Sequence, residues 1–183
     1  MKIEIITLEE GVKNKWTGGE TTQLYIEPIG MSVKEEFDLR ISIASVNKGE
    51  NEFSNFSNYN RYLTVLQGEI DLSQDGKKIK IKELEELRFD GGVKTIGKCT
   101  NDIRDFNIIW KKKIGEIKIN IQKESNKRNS IEVSSEVFVF AMEQVKIQIG
   151  ETEIRLKKNQ LLMLKENYLD YCFIEGKCIY GSK

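Results

Sequence analysis

The chain has 183 residues, enough to bury a hydrophobic core in one large domain or in two small ones. Apolar residues make up 39% of it and charged residues 32%, proportions that suit a folded globular protein and exclude a disordered one. The 29 Lys and Arg residues balance the 29 Asp and Glu residues, so no net charge favours nucleic acid or an anionic membrane. We expect neither as a partner.

The first ten residues, Met1–Glu10, contain no long apolar stretch of the kind found in signal peptides. No segment approaches the roughly 20 apolar residues that are needed to span a bilayer. We therefore expect a cytoplasmic protein. In that reducing compartment we expect the three cysteines to be buried thiols, although Cys172 and Cys178 could face each other across a hairpin.

Alternating apolar and polar residues, typical of strands with one buried face, run through most of the chain. In chain order the clearest examples are Leu39–Val46, Ile117–Gln122, Val145–Ile149 and Glu153–Leu156. Turn residues separate such segments at Asn47–Gly49, Gln74–Gly76, Asp90–Gly92 and Glu175–Lys177. Only Lys82–Leu87 indicates a short helix. The pattern predicts antiparallel hairpins closed into barrels or sandwiches.

An internal repeat appears when the chain is slid against itself by 75 residues. This offset superposes eight pairs of apolar residues, namely Leu63 and Phe138, Val65 and Phe140, Ile70 and Val145, Leu72 and Ile147, Ile79 and Ile154, Ile81 and Leu156, Leu87 and Leu162, and Phe89 and Leu164. Coincidence among similar strands is the alternative explanation. The repeat predicts two related halves, which we place at residues 1–112 and 113–183.

The repeated unit resembles the hairpins of cupin barrels, most clearly in Leu66–Leu72 followed by Asp75 and Gly76. Two such units imply a bicupin. The predicted fold class is therefore all-β, with two cupin-like, jelly-roll type antiparallel β-barrels packed as one unit. A homodimer is compatible with this fold, because bicupins often bury strand edges that would otherwise be open.

Six short motifs in the N-terminal half share the order and spacing of the HutD/Ves family of bicupins. They are Trp16–Thr22, Phe37–Ser45, Phe53–Phe56, Asn60–Gly68, Phe89–Gly91 and Asp105–Asn107. The resemblance covers residues 14 to about 113, and residues 114–183 carry only the generic cupin pattern. It implies a non-enzymatic protein that binds a small molecule and is linked to histidine utilisation or to stress responses.

The sequence contains no histidine, which limits the chemistry of any cupin site. Metal-dependent cupins generally hold a divalent ion with two or three histidines and a carboxylate, so that chemistry is excluded, as is catalysis by Ser–His or Cys–His pairs. A site of carboxylates or thiolates alone is the remaining alternative for a metal. We expect no metal, no other cofactor and no catalytic residue.

Arg61 is the strongest candidate for ligand binding. It shares one strand face with Leu63 and Val65, and a charge on an apolar face is costly unless it is paired. The planar guanidinium suits the carboxylate of a ligand, but it could instead pair with a protein carboxylate such as Asp105. Arg40 shares a face with Ser42, and that face either lines a pocket or contacts water.

Trp16 and the glycines that follow it predict a tight turn that leads into a strand, where hydroxyls and backbone amides could contact an anion. The alternative is an ordinary turn with the tryptophan packed in the core. The predicted binding site comprises Arg40 and Arg61 as a clamp for a small carboxylate, with Ser42, Trp16, Thr22, Asn107 and Asp105 around it.

Two other functions remain open from the sequence. Asp105 could act as an acid or base in a metal-independent enzyme on a small polar substrate. The chain could also be a structural or protein-interaction bicupin, with its barrels filled by side chains and its arginines paired internally.

Overall fold

The computed structural model describes residues 2–31, 33–133, 136–165 and 170–183. In chain order its strands are β1 (Lys2–Ile6), β2 (Val12–Trp16), β3 (Gly19–Glu27), β4 (Leu39–Val46), β5 (Gly49–Glu52), β6 (Tyr59–Gln67), β7 (Glu69–Gln74), β8 (Lys77–Lys82), β9 (Glu86–Asp90), β10 (Thr95–Cys99), β11 (Ile103–Lys111), β12 (Lys118–Gln122), β13 (Arg128–Val133), β14 (Glu136–Ala141), β15 (Val145–Ile149), β16 (Thr152–Leu156), β17 (Leu161–Lys165), β18 (Asp170–Glu175) and β19 (Cys178–Ser182). The all-β prediction is confirmed.

Helix is almost absent from the described ranges, where the single helical segment is a 3-10 turn at Lys112–Ile114. The helix predicted at Lys82–Leu87 is wrong. Strand β8 ends at Lys82, β9 begins at Glu86, and Leu84 between them has a φ of 59°. So short a segment cannot offset the cost of helix nucleation, and strand pairing on both sides determines its conformation. No described helix is long and apolar enough to cross a membrane.

The chain divides into two compact units. The first unit is Gly11–Gly115, and the second unit combines Met1–Glu10 with Glu116–Lys183. Residues 1–10, which the sequence places with the N-terminal half, belong instead to the second unit, because β1 pairs with β17 from Ile6 opposite Leu161 to Lys2 opposite Lys165.

The first unit consists of two antiparallel sheets. One has the strand order β2-β3-β4-β11-β6-β9 and the other the order β5-β10-β7-β8. Apolar side chains from both sheets form one core, which includes Ala44, Val46, Leu63, Val65, Ile70, Leu72, Ile81, Cys99 and Ile103. The two sheets therefore face each other, as in a jelly roll.

The second unit repeats this arrangement. Its sheets have the strand orders β1-β17-β14-β19-β12 and β13-β18-β15-β16. Reversing the first order gives β12-β19-β14-β17, which corresponds to β4-β11-β6-β9 of the first unit. The second unit adds β1 beside β17, whereas the first unit adds β3 and β2 beside β4. Its core is filled by apolar side chains and includes the buried free thiols Cys172 and Cys178.

The 75-residue offset holds for most of the repeat. Ile70 pairs with Ile81 in the first unit, and Val145 pairs with Leu156 at the equivalent positions of the second. The offset fails in β6 and β14. Leu63 lies in the core of the first unit, but in β14 the core residues are Val137, Val139 and Ala141, which puts Phe138 and Phe140 on the opposite face. Gly68 alone joins β6 to β7, whereas three residues join β14 to β15.

Candidate functional site

The inner face of the six-stranded sheet carries an unusual concentration of polar side chains. Because the strands are in register, residues of β3, β4, β11 and β6 form three rows across the sheet. The rows are Thr21, Ala44, Asp105 and Val65, then Gln23, Ser42, Asn107 and Leu63, then Arg40, Ile109 and Arg61. Arginines therefore lie at one end of this face and a carboxyl group at the other.

A cavity of about 270 Å³ opens over these rows. Its floor is formed by side chains of the rows, namely Thr21, Arg40, Ser42, Ala44, Arg61, Asp105, Asn107 and Ile109. Its walls are formed by the aromatic rings of Trp16, Phe53 and Phe56, with Val33, Val46 and Ser54, and the cations Lys15 and Lys34 also contact it. The cavity thus combines an apolar wall with a charged floor, as binding sites for small molecules do.

Arg61 is buried, with 7% of its surface exposed, and is incompletely paired. Its Nη1 donates a hydrogen bond to the backbone carbonyl of Ser54 at 3.1 Å, and its buried Nε has no hydrogen-bond partner. Three phenylalanine rings surround the guanidinium, with centroids 5.1–5.7 Å from Cζ, namely Phe53, Phe56 and Phe89. Burial lowers the pKa of Arg61 to about 10, so the group remains charged at pH 7.

Arg40 lies two strands from Arg61 in the same row, about 10 Å away at the Cα positions. Its Nε donates a hydrogen bond to Oε1 of Gln23 at 3.0 Å. Burial lowers the pKa of Arg40 to about 10, and the Coulombic effect of Arg40 also lowers the pKa of Arg61. The two cations are therefore close enough to interact, and an anion between them would relieve their repulsion.

Asp105 is the acidic side chain of the cavity floor, with 1% of its surface exposed. The side-chain amide of Asn107 donates a hydrogen bond to Oδ1 of Asp105. Burial raises the pKa of Asp105 to about 7, although the bond from Asn107 and the charge of Arg61 oppose this shift. Within the described part of the chain, Asp105 and Arg61 interact through space without forming an ion pair.

The turn at Trp16 closes one side of the cavity. Trp16 pairs with Gly19 across the β2–β3 hairpin, and its Nε1 donates a hydrogen bond to Oγ1 of Thr21 at 3.2 Å. Thr22, which the sequence predicts as a site residue, is not among the residues that line the cavity, and Thr21 lines it instead. Thr22 lies opposite Ile43 in the sheet and points to the other face.

The structure brings six of the seven predicted residues to one cavity, namely Arg40, Arg61, Ser42, Trp16, Asn107 and Asp105. Sequence reasoning missed Gln23, which orients Arg40, and the aromatic residues Phe53 and Phe56. The phenylalanines belong to one of the six family motifs, so their presence there was the available signal. Gln23 carried no such signal.

A second depression is less suited to a ligand. It is more open, has a volume of about 700 Å³ and lies beside the cavity, but its lysines are paired, with Lys112 2.7 Å from Asp90 and Lys111 2.9 Å from Glu36. Among the described residues, no group of three or more His, Cys, Asp or Glu side chains is arranged to hold a metal ion.

Solved structures with the same fold cover almost the whole chain. A conserved protein of unknown function from Pseudomonas aeruginosa matches with a TM-score of 0.86 at 20% identity, over 99% of this chain and 97% of that one. HutD from Pseudomonas fluorescens, obtained in a formate condition, matches with a TM-score of 0.81 at 24% identity and the same coverage. The oxalate decarboxylase of Lactobacillus farciminis in complex with formate matches with a TM-score of 0.66 at 7% identity, over 97% and 84%.

These similarities establish the cupin-like fold, which is shared at low identity by proteins with different chemistry. No curated protein matches the sequence significantly. The family model for HutD matches residues 9–178, which include all of the first unit, most of the second unit and every residue of the cavity. The resemblance seen in the six motifs is thereby confirmed, and the chain belongs to the HutD family.

Proposed function

We propose that this protein binds a small carboxylate in the cavity of its first unit, without catalysing a reaction, and serves in histidine utilisation or in a stress response. The link to these processes rests on membership of the HutD family. The binding role rests on one observation above all. Arg61 is a buried cation whose Nε has no hydrogen-bond partner, at the edge of a cavity.

An unpaired buried donor on a charged group is costly, so a protein keeps one where a ligand completes it. The bond to Ser54 uses Nη1 of Arg61 and leaves Nε and Nη2 on the adjacent edge of the guanidinium. That edge presents two parallel N–H groups, which match the two oxygens of a carboxylate. Arg40 has its Nε bonded to Gln23 and can present its remaining N–H groups to the same ligand.

The charge balance of the cavity favours an anion. Two guanidinium groups face one carboxyl group, and Asp105 is about half protonated at pH 7 because its pKa is about 7. The cavity is therefore positive with or without the proton on Asp105. In a partly desolvated site this charge acts strongly on a small anion.

The size of the cavity limits the ligand. Pockets for drug-sized molecules occupy about 300–1,000 Å³, and 270 Å³ lies just below this range. The aromatic wall formed by Trp16, Phe53 and Phe56 suits an apolar or planar body behind the carboxylate. We expect an acid with few non-hydrogen atoms.

Thermal unfolding in the presence of small acids tests the proposal. The panel contains formate, glutamate, N-formylglutamate, N-formiminoglutamate, urocanate and histidine. A ligand at about 100 times its dissociation constant should add roughly 2.7 kcal/mol of stability, which raises the melting temperature by a few degrees. If no acid raises the melting temperature at millimolar concentration, a structural or protein-interaction role without a ligand becomes the better explanation.

We expect Gln23→Leu to bind the ligand less tightly. For the acid that raises the melting temperature, the dissociation constant should increase several-fold. The change removes the acceptor that holds Nε of Arg40, so that Arg40 loses its fixed orientation while keeping its charge. The measurement is a titration followed by thermal shift. Gln74→Leu is the matched control, because Gln74 bonds to Thr95 outside the cavity lining. Equal affinities of the two variants would contradict the role of Gln23.

A second candidate function is supported by Asp105. A carboxyl group with a pKa near 7 inside a cavity is suited to general acid or base catalysis at neutral pH. Asn107 would fix its orientation, and the arginines would hold an acidic substrate beside it. Incubation of the protein with each acid of the panel, followed by product analysis, tests this function. Turnover that survives in Asp105→Asn would argue against it.

A further inference from the structure

The carboxyl group of Asp105 lines the same cavity that we assign to a ligand carboxylate. It lies in β11, two rows from Arg40 and Arg61, and Asn107 lies in the row between them. Its one described side-chain partner is Asn107, a neutral donor. No arginine neutralises it by direct contact within the described residues. A second carboxylate in this cavity would therefore meet an acidic group whose charge is only partly compensated.

We propose that the cavity binds a carboxylate together with one proton, which Asp105 takes up from solvent. This inference rests on the proposed function and adds to it that pH regulates ligand binding. The proton adds to a carboxyl oxygen of Asp105, and no other bond forms or breaks. Binding would thereby be favoured in acidic conditions and released as the pH rises.

The physical cause is repulsion between two carboxylates in one partly buried site. Two such groups cannot both remain ionised without cost, so the entry of one raises the pKa of the other. Burial already holds the pKa of Asp105 at about 7 in the free protein. An anion on the arginines both adds a negative charge and offsets the positive charge that helps Asp105 to ionise.

Other groups near Asp105 do not account for a change of affinity around neutral pH. Arg61 from β6 and Arg40 from β4 remain charged, because the pKa of each is about 10. Cys99 from β10 stays a neutral thiol, because burial and, to a smaller extent, the charge of Asp105 raise its pKa to about 11. The remaining charged residues of the cavity lining are the cations Lys15 and Lys34.

Formate is the probe for the test, because it is the smallest carboxylate and is fully ionised between pH 6 and pH 8. Its dissociation constant, measured by thermal shift titration, should rise about tenfold from pH 6 to pH 8 if one proton binds at a group of pKa about 7. Addition of formate to the protein in weakly buffered solution at pH 7 should also raise the pH, as followed with an indicator dye.

Asp105→Asn should bind formate with the same dissociation constant at pH 6 and pH 8, and should take up no proton. Asp71→Asn is the matched control, because Asp71 is exposed and bonds to Lys80, and it should keep the wild-type pH dependence. Wild-type affinity that is constant or increases with pH would overturn the proton linkage while leaving carboxylate binding intact. If formate does not bind at pH 6, the acid of the panel that raises the melting temperature replaces it as the probe, and failure of every acid of the panel to bind at pH 6 would instead overturn the proposed function.

Discussion

Replacing Arg61 with methionine should abolish ligand binding while leaving the free protein at least as stable as the parent. The lost hydrogen bonds to a carboxylate are charge-assisted and are each worth about 1.5–3 kcal/mol. Because Nε and Nη2 of Arg61 would supply two such bonds, the dissociation constant should rise by about 150-fold or more. Thermal shift titration with the best acid of the panel measures this change.

The expected stability has a separate cause. Desolvation is the main influence on the pKa of Arg61, and its Nε is unpaired, so the buried charge is costly to the free protein. Methionine has a similar length and packs well against aromatic rings, three of which surround this position. The carbonyl of Ser54 is on an exposed residue, where water can replace the lost donor.

Arg155→Met is the matched control for this prediction. Arg155 lies in β16 of the second unit, with its side chain 63% exposed and an ion pair to Glu153. This substitution should change neither the ligand-induced rise in melting temperature nor the stability of the free protein by much, because exposed ion pairs contribute little. If Arg61→Met still shows the full ligand shift, the carboxylate site must lie elsewhere.

Replacing Gly19 with alanine should destabilise the protein by about 2–5 kcal/mol, the second large effect that we expect. Gly19 has a φ of +152°, which residues with a side chain rarely adopt. A Cβ there would lie 2.0 Å from the backbone oxygen of Ser45, which cannot move without disturbing the β3–β4 pairing. Urea unfolding monitored by circular dichroism measures the loss.

The loss of stability expected for Gly19→Ala has two contributions, the backbone strain at positive φ and the contact of the new Cβ with Ser45. Gly49→Ala measures the first of these alone. Gly49 has a comparable φ of +122° in the same unit, but nothing lies within 4 Å of the position that a Cβ would take. Its substitution should cost only the backbone strain, about 1–3 kcal/mol. If the two variants lose the same stability, the contact between position 19 and Ser45 does not constrain the hairpin.

Local sequence signals were sufficient for the strands and many of the turns. The two-residue connection Asp75-Gly76 has positive φ at both positions, 47° and 79°, as expected for a tight hairpin between β7 and β8. Alternation in β15 and β16 places Val145, Ile147 and Leu156 in the core. In these strands one face is polar and the other apolar, so the phase of the strand is fixed by burial.

No comparable signal in the sequence indicates that the 75-residue offset fails in β14. The segment Val137–Ala141 is apolar at every position, and all five residues are buried. A strand that is apolar on both faces fits equally well in either phase, so the sequence cannot tell which of Val139 and Phe140 faces the core. The length of the connection to β15 determines it, and only the structure provides that length.

The candidate site shows the same limitation on a smaller scale. The sequence does not indicate which of the two adjacent threonines, Thr21 or Thr22, faces the cavity. In the structure the hairpin register pairs Trp16 with Gly19, and Thr21 is the threonine that lines the cavity. Gln23 precedes an apolar run and looks like an exposed strand residue, yet it is buried and bonded to Arg40. An irregularity in pairing between Gln23 and Tyr25 shifts the phase of β3 at this point.

The pairing of β1 with β17 has a consequence for synthesis on the ribosome. Strand β1 precedes the whole first unit in the chain but belongs to the second unit, so it must wait unpaired until β17 has been synthesised. The strands of the first unit all lie in Gly11–Gly115 and can assemble during that interval. The second unit depends on a contact of very high sequence separation, which is entropically slow to close. Until it closes, the edge of β17 is open to pairing with another nascent chain.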